Sequence, residues 1–421
     1  VNAEYDHTDG FRQNSATDQN SASAKLTYAP NDDNKLSLNT GYFNSRLGTP
    51  GMKSMPDNDD RQLDYKNFVD GSWAFDAGEG LSFLNRGYRN YEKLRFFENT
   101  AGSMWDIAGD TFRHTTVSNG FDSQVTKEFN DVYTVTGGFN YVGNFNNSTT
   151  SGKHSYNVRA GYLQNILKVT ERTTLQVGGR VDDYSNFGTQ FDPNAGVIYA
   201  FNKTDRLRAS VSRSFRAPTF NELFWPDQGW AKGNPNLRPE KSVNMDAGFD
   251  KKVTERWSTS VTYFHNRFRD LINWVTDSSW VSQPVNIGSA QIDGIEFGNK
   301  VTLTEKLKFL LDYTYQRPLD RQTRKDLVYE PRHKLNSTLK YEVAGATVRL
   351  NGVYSNTRFV SADNTMKAKQ YFVLNLGLTK ALSPNVDFLL NLNNLLNRKY
   401  EVVKEFPEPG FTVLTGVKAT F

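Results

Sequence analysis

The sequence predicts an all-β protein, folded as a transmembrane antiparallel β-barrel. The first observation is alternation: residues 411–421 place apolar side chains at alternate positions, and similar runs recur along the chain. A strand of this kind has one apolar and one polar face, which suits lipid on one side and water on the other. The second observation is that short and long links between these runs alternate. Together they predict one continuous barrel over residues 1–421.

Composition agrees with this fold. Only 37% of the 421 residues are hydrophobic, and no run of about 18 apolar residues offers a transmembrane helix. In a barrel only alternate residues of each strand touch lipid, so the total hydrophobicity stays low. The aromatic share of 13% suits girdles at the two membrane interfaces. Cysteine is absent, which excludes disulfides and thiolate metal sites.

About twenty strands are predicted from the alternating runs. In chain order they are residues 1–7, 21–29, 35–46, 64–75, 81–97, 112–129, 132–144, 156–167, 173–185, 191–201, 206–215, 243–251, 257–275, 285–301, 307–316, 333–341, 346–357, 371–379, 386–394 and 412–421. No repeat, low-complexity stretch or linker divides the chain, so a single domain explains its length better than several.

The links assign the two sides of the membrane. Every second link is short and rich in Asn, Asp, Gly or Thr, as a tight hairpin requires. The intervening links are longer, for example residues 47–63, 145–155, 216–242, 317–332 and 358–370. Outer-membrane barrels have short periplasmic turns and long extracellular loops, so we expect the long links outside the cell. A β-propeller or a large secreted β-sandwich would not produce this alternation.

Several motifs in the second half of the chain resemble TonB-dependent outer-membrane receptors. The residues that most resemble the loop signature of these receptors lie in or beside the long link at residues 216–242. They are Phe215, Arg216, Ala217, Pro218, Asn234, Pro235, Asn236, Leu237, Pro239 and Glu240. Three further segments resemble that family: residues 286–290 with 294–296 its mid-barrel hairpin, residues 330–335 the start of a late strand, and residues 393–400 with 407–410 its carboxy-terminal hairpin. Two prolines within five positions cannot sit inside a ladder, so the link contains a rigid turn. The prolines either organise this loop or contact ligand.

The resemblance implies an integral protein of the bacterial outer membrane with about 22 strands around a globular plug. We therefore expect the plug and the first hairpin to lie outside this chain. It also implies ligand binding at the extracellular face and import driven by the TonB complex through the plug. The barrel-assembly machinery of the family reads a terminal aromatic residue, and Phe421 matches that position.

Two loops also resemble those of cobalamin receptors, in which loop carboxylates bind calcium. The matching candidates here are Asp18, Asp57, Asp59, Asp60 and Asp64. Calcium takes six to eight oxygen ligands, so facing acidic loops are chemically suitable. The alternative is a solvated acidic loop, because the spacing matches no EF-hand. No other cofactor is expected.

Aromatic and basic residues of the long links are the candidates for ligand contact. They are Phe224, Trp225, Trp230, Lys232, Trp274, Trp280 and Tyr329. Aromatic rings could stack on a planar or bulky ligand, or anchor the loops to lipopolysaccharide. Residues 219–233 lack the histidine usual in haem receptors of the family. The five histidines show no metal-ligand spacing and no nucleophile–base pair is apparent, so we expect no enzyme activity.

Three kinds of function remain open at this stage. The first is an active transport receptor, with a cobalamin-like corrinoid favoured and a ferric siderophore as the alternative cargo. The second is a plugless, passive porin-like channel. The third is an outer-membrane scaffold or surface receptor without transport. Expected partners are a small-molecule ligand, the TonB complex, outer-membrane lipid and lipopolysaccharide, and the assembly machinery; no nucleic acid is expected.

Overall fold

A computed structural model describes residues 1–98, 110–276 and 278–419. Within these ranges the chain forms 24 strands and one short helix, α1 (Phe220–Phe224). The strands are β1 (Asn2–Thr8), β2 (Thr17–Asn31), β3 (Asn34–Gly48), β4 (Arg61–Asp76), β5 (Leu81–Glu98), β6 (Asp110–Glu128), β7 (Tyr133–Ser148), β8 (Gly152–Lys168), β9 (Thr173–Tyr184), β10 (Gly188–Ala200), β11 (Arg206–Arg216), β12 (Glu240–Thr254), β13 (Trp257–Thr276), β14 (Ser282–Thr304), β15 (Leu307–Asp320), β16 (His333–Val343), β17 (Ala346–Ser355), β18 (Arg358–Phe359), β19 (Lys367–Ala368), β20 (Tyr371–Ser383), β21 (Val386–Asn393), β22 (Glu401–Val403), β23 (Phe406–Pro407) and β24 (Thr412–Ala419). Among the described residues, no α-helix has the length and apolar character needed to cross a membrane.

Twenty of the strands belong to one sheet, which confirms the predicted number. Successive strands pair antiparallel, with long uninterrupted registers such as β4–β5 and β7–β8. The other four strands, β18, β19, β22 and β23, form two small two-stranded sheets inside long links. Neither these short strands nor α1 was predicted from the sequence pattern, because each is too short to show a period.

Short and long links alternate along much of the sheet. Two-residue turns join β12 to β13, β14 to β15 and β16 to β17, whereas residues 217–239 and 321–332 are long links. The predicted long link at residues 145–155 is different: β7 and β8 continue through most of it and leave only residues 149–151 as a turn. The Ser148 hydroxyl closes this turn by accepting hydrogen bonds from the backbone N–H groups of Thr150 and Ser151, both at 3.0 Å.

Backbone contacts divide the chain into two compact units. The first unit comprises residues 1–196, 212–242 and 270–288, and the second comprises residues 197–211, 243–269 and 289–421. The first unit holds β1–β9 with α1 and its link. The second unit holds β15–β24 together with the inner parts of β12–β14.

The second unit shows the two-faced sheet most clearly. The registers of β14–β17 place apolar residues opposite one another on one face: Ile295, Phe297, Val301, Phe309, Leu311, Tyr313, Tyr315, Leu335, Leu339, Tyr341, Val348 and Leu350. Polar residues such as Glu296, Lys300, Lys308 and Asp312 occupy the opposite face of the same strands. Residues directly opposite in an antiparallel pair share a face, so this sheet has one lipid-compatible and one water-compatible side.

Candidate functional site

The link between β11 and β12 starts and ends on one ionic cluster. At the end of β11, Arg216 donates to Glu240 from Nε at 2.7 Å and from Nη2 at 2.8 Å. The same guanidinium donates to Glu222 in α1, at 3.0 and 3.2 Å. Glu240 also accepts the backbone N–H of Ile272 at 2.8 Å. One arginine therefore holds both ends of the link and its helix together, because five N–H donors in a fixed fork can serve two carboxylates.

A capping box starts α1. The Thr219 hydroxyl accepts the N–H of Glu222 at 3.2 Å, and the Glu222 carboxylate accepts the N–H of Thr219 at 2.7 Å. Such reciprocal bonds satisfy two backbone donors that the first helical turn leaves free. Burial raises the pKa of Glu222, but hydrogen bonds from the Arg216 guanidinium and the Thr219 N–H outweigh it, so the net pKa is lowered. Glu222 is therefore ionised at neutral pH and serves the helix and the ion cluster together.

Backbone hydrogen bonds fold the second half of the link back onto the helix. Gly233 donates its N–H to the Trp225 carbonyl at 2.8 Å, and Asn234 donates its own to the Glu222 carbonyl at 2.8 Å. The Asn234 side chain reaches β14, where Nδ2 donates to the Pro284 carbonyl at 3.0 Å. Asn234 therefore ties the turn to helix α1 through its backbone and to β14 through its side chain.

The other signature residues of the link have structural contacts or lie at its surface. Pro218 and Pro239 are buried, whereas Pro235 and Asn236 are exposed, and Ala217 is half-buried. The Asn236 N–H donates to the Asn234 side chain at 3.0 Å. This placement supports the interpretation that the prolines organise the loop.

Asn286 of β14, from the second motif, clamps the same link. Its Nδ2 donates to the carbonyls of Arg238 and Asp270, both at 2.8 Å, and its Oδ1 accepts the Arg238 N–H at 2.8 Å. A side-chain amide that bonds two backbone segments satisfies groups that would otherwise lack partners. The two motifs, about fifty residues apart in sequence, therefore form one structural unit.

A small apolar cluster lies beneath α1. Leu223, Leu237 and Ile272 are buried together, and Phe224 packs against them. Phe224 also stacks on the His154 ring, with centroids 3.7 Å apart and planes within 3°. Phe224, a predicted ligand contact, thus holds the helix to the start of β8. Sequence reasoning missed His154, because its partner lies some seventy residues away along the chain.

Further aromatic residues at the strand ends of the first unit surround the helix. Phe215 meets Tyr184 edge-on at 5.6 Å, and Tyr184 stacks on Phe187 at 4.2 Å. Tyr156 contacts Phe220 at 5.3 Å. Aromatic pairs of this kind stabilise beyond their buried area. Of these aromatic residues, only Phe215 was identified from the sequence. The others could have been found because they lie at or near the ends of neighbouring strands.

Two tryptophans of the predicted ligand set are exposed to solvent, on two loop segments that are joined by backbone hydrogen bonds. Ser282 donates its N–H to the Trp230 carbonyl at 2.7 Å, and Lys232 donates its N–H to the Ser282 carbonyl at 3.0 Å. Trp230 is 62% exposed and Trp280 is 83% exposed. We call residues 230–232 and 280–282 the tryptophan platform. Large exposed apolar patches mark interaction sites.

The remaining predicted ligand contacts are placed differently. In the first unit, Trp225 is half-buried and its Nε1 donates to Gln228 at 3.0 Å, whereas Trp274 is exposed at the end of β13. Tyr329 belongs to the second unit, where it is exposed and its N–H donates to the Phe359 carbonyl at 2.8 Å.

Three of the five predicted calcium ligands come together. Carboxylate oxygens of Asp57, Asp59 and Asp60 lie within 4.8 Å of one another, and this group could hold a cation. The other two have different partners: Asp18 bonds the His7 ring at 2.6 Å, and Asp64 accepts from Gln62 at 3.0 and 3.1 Å. The predicted assembly residue, Phe421, lies outside the described residues.

We expect Gly233→Ala to loosen the link. A Cβ there would lie 2.6 Å from the Trp225 nitrogen and 2.7 Å from the Leu223 carbonyl oxygen, so backbone must move. Hydrogen exchange over residues 217–239 should quicken about tenfold. The matched control is Gly87→Ala in β5, where an added Cβ meets nothing within 4 Å. Equal exchange in the two variants would contradict the packing described here.

Comparison with known proteins gives a consistent result. The family described as "TonB dependent receptor-like, beta-barrel" matches residues 2–395. An iron-regulated outer membrane virulence protein of Vibrio cholerae is 25% identical over 90% of this chain and 62% of its own length. The vitamin B12 transporter of Photobacterium profundum is 27% identical over 58% of this chain and 40% of its own length. The chain thus spans about three fifths or less of these curated relatives.

Solved structures show the same fold. The siderophore receptor PirA from Acinetobacter baumannii superimposes with a TM-score of 0.83 over 97% of this chain and 71% of its own, at 15% identity. The copper transporter OprC superimposes with a TM-score of 0.83 over 100% of this chain and 75% of its own, also at 15% identity. At such low identities the likeness concerns the fold alone.

Proposed function

The chain belongs to the TonB dependent receptor-like β-barrel family, and from this premise we propose that it imports a scarce metal chelate across the outer membrane with energy from TonB. Membership confirms the predicted family, the all-β barrel fold and the outer-membrane location. Three of the relatives compared above are named as receptors or transporters, which agrees with the expectation that the chain is not an enzyme.

The tryptophan platform is the observation that carries this proposal. Trp230 and Trp280 keep most of their surface in solvent, although Ser282 joins their two segments through backbone hydrogen bonds to Trp230 and Lys232. Their faces offer stacking area, and Lys232 adds a positive charge to the platform. An anionic chelate with aromatic arms complements such a surface. A ferric siderophore is therefore the cargo that we favour.

A corrinoid is the second candidate cargo. The observation in its favour is the Asp57–Asp59–Asp60 group, since calcium bound there would stiffen the link that joins β3 to β4. The V. cholerae relative is named for iron regulation and the P. profundum relative for vitamin B12, so these names support both cargoes. Calcium at this group is part of the corrinoid proposal.

The proposed partners follow from the same premise. TonB would act through the plug domain that the family resemblance implies. Lipid and lipopolysaccharide would surround the apolar face, and the barrel-assembly machinery would read Phe421. A passive channel is the competing function, and it requires no specific ligand.

Equilibrium binding to the full-length protein in detergent tests the proposal. We expect a ferric siderophore, tested beside cyanocobalamin with calcium and with a chelator, to bind tightly. Trp230→Ala with Trp280→Ala should weaken binding at least about tenfold. The matched control is Trp257→Ala, at the first residue of β13, because the link that carries Trp280 follows the other end of that strand.

Each outcome of this experiment discriminates between the candidates. Cyanocobalamin binding that is lost with the chelator, and also lost in Asp57→Asn, would replace the siderophore by the corrinoid. Equal losses in the platform and Trp257 variants would contradict a role for the platform. If no chelate binds and the protein conducts ions in planar bilayers, the channel is correct and import is not.

A further inference from the structure

The apolar face of the second unit ends in an aromatic band. From the two-residue turn before β15, the residues on that face are Leu307, Phe309, Leu311, Tyr313 and Tyr315. Leu307 to Tyr315 are nine residues, and a membrane-spanning strand, which is tilted by about 45°, needs about 9–11. Aromatic girdles flank the apolar band of outer-membrane barrels. Tyr313 and Tyr315 therefore mark the upper membrane interface.

Arginines lie beyond this girdle on the same face. Arg317 stands opposite Asp293 in the β14–β15 register. Arg321 continues that ladder, because its N–H donates to the Ser289 carbonyl at 2.9 Å. Since side chains alternate along a strand, Arg317 and Arg321 share the face of Tyr315.

Strand β13 adds two more arginines to this face. Tyr263 and His265 both bond Asp293, at 3.4 and 2.6 Å, which places them on the same side of the sheet. With a period of two, Arg267 and Arg269 follow on that side. Arg269 and Arg321 are close enough to Arg267 to repel it electrostatically. We call Arg267, Arg269, Arg317 and Arg321 the arginine belt.

No arginine of the belt is ion-paired with a carboxylate. Across the described ranges none of its guanidiniums forms a salt bridge with a carboxylate, although other arginines form nine such pairs. Asp293, which stands opposite Arg317, already accepts from His265 at 2.6 Å and from Gln291 at 2.7 Å. The Nε of Arg267 is buried without a hydrogen-bond partner. An anion bound among these like charges would stabilise them and could accept from the free Nε of Arg267.

We propose that the arginine belt binds the phosphate groups of outer-leaflet lipopolysaccharide. The belt begins where the apolar face ends, so it meets lipid headgroups at the height of their phosphates. Guanidinium groups bind phosphate oxygens bidentately, and several of them can share one phosphorylated headgroup. This function is separate from import: it fixes the barrel in its lipid and uses the face opposite to the lumen.

Binding of purified lipid A to the full-length protein in detergent tests the belt. Native mass spectrometry of Arg267→Gln with Arg321→Gln should show about tenfold weaker binding than wild type. The matched control, Lys300→Gln with Lys308→Gln, removes the same charge from the opposite face of β14 and β15. Arg267→Lys with Arg321→Lys should keep most of the binding, because the charge remains.

Lipid chemistry identifies the source of the phosphate. Dephosphorylated lipid A should bind at least about tenfold more weakly than phosphorylated lipid A, and millimolar inorganic phosphate should not displace it. Equal binding of the two lipids, displacement by free phosphate, or equal losses in the belt and control variants would each overturn the proposal. Heat-modifiable migration on gels checks that every variant is folded.

Discussion

Arg216→Ala is expected to release the link between β11 and β12 and to remove tight ligand binding. The change leaves Glu222 and Glu240 beside each other with side chains only 15% and 16% exposed, and without their shared cation. We expect a cost of about 1–3 kcal/mol, less than for a fully buried pair because Arg216 remains partly in solvent. Hydrogen exchange over residues 217–239 measures the release of the link, and the affinity for the chelate measures the loss of ligand binding.

Two further variants isolate the role of the guanidinium fork. Arg216→Lys should behave like Arg216→Ala, because one ammonium cannot serve two carboxylates in this geometry. Arg238→Ala is the matched control: Arg238 lies in the same link, is 69% exposed at its side chain, and pairs with Asp270 at 2.9 Å. If Arg238→Ala quickens hydrogen exchange of the link as much as Arg216→Ala does, then surface charge, and not the Arg216 cluster, stabilises the link.

The sheet was predictable because its signal is local. Alternation along a strand needs only a few residues, and each face meets one solvent over its whole length, so all twenty sheet strands were found. The extension of β7 and β8 through residues 145–155 was missed. That segment is rich in Asn and Ser, which resembles a loop in composition, although the residues are paired.

The candidate site was predictable only in part. The signature residues were identified by resemblance, and Arg216, Asn234 and Glu240 do organise the link. The Thr219–Glu222 spacing was an available helix signal that was not used. The stacking of Phe224 on His154 could not be read from the sequence, because it depends on which strand end lies beneath the helix.

The acidic set illustrates the same limit. Asp57, Asp59 and Asp60 meet because they are neighbours in the chain, and the Asp57 carboxylate accepts the backbone N–H groups of both others, at 3.0 and 2.7 Å. All five acidic residues were named by resemblance, yet Asp18 and Asp64 each have a partner on their own pair of strands. Proximity in the sequence therefore indicates the group better than the resemblance did.

Arg358 provides the second large expected effect. It is only 4% exposed, and its Nη2 donates to the carbonyls of Glu401 and Val402 at 2.6 and 2.5 Å. Its guanidinium also lies over the Tyr371 ring at 5.6 Å. One buried side chain therefore joins residues 356–370 to residues 394–411, both within the second unit. Because an alanine side chain has no hydrogen-bond donor, both carbonyls would lose the Arg358 hydrogen bond in Arg358→Ala.

We expect Arg358→Ala to cost about 2–5 kcal/mol, from the cavity and the unpaired carbonyls together. Proteolysis should then cut within residues 394–411 at temperatures where wild type resists. Arg349→Ala is the matched control, an exposed arginine on the neighbouring strand β17. Arg358→Met removes the buried charge but keeps much of the volume, so it should recover part of the loss through packing. Equal resistance of the Arg358→Ala and Arg349→Ala proteins would show that the two links are held together by other contacts.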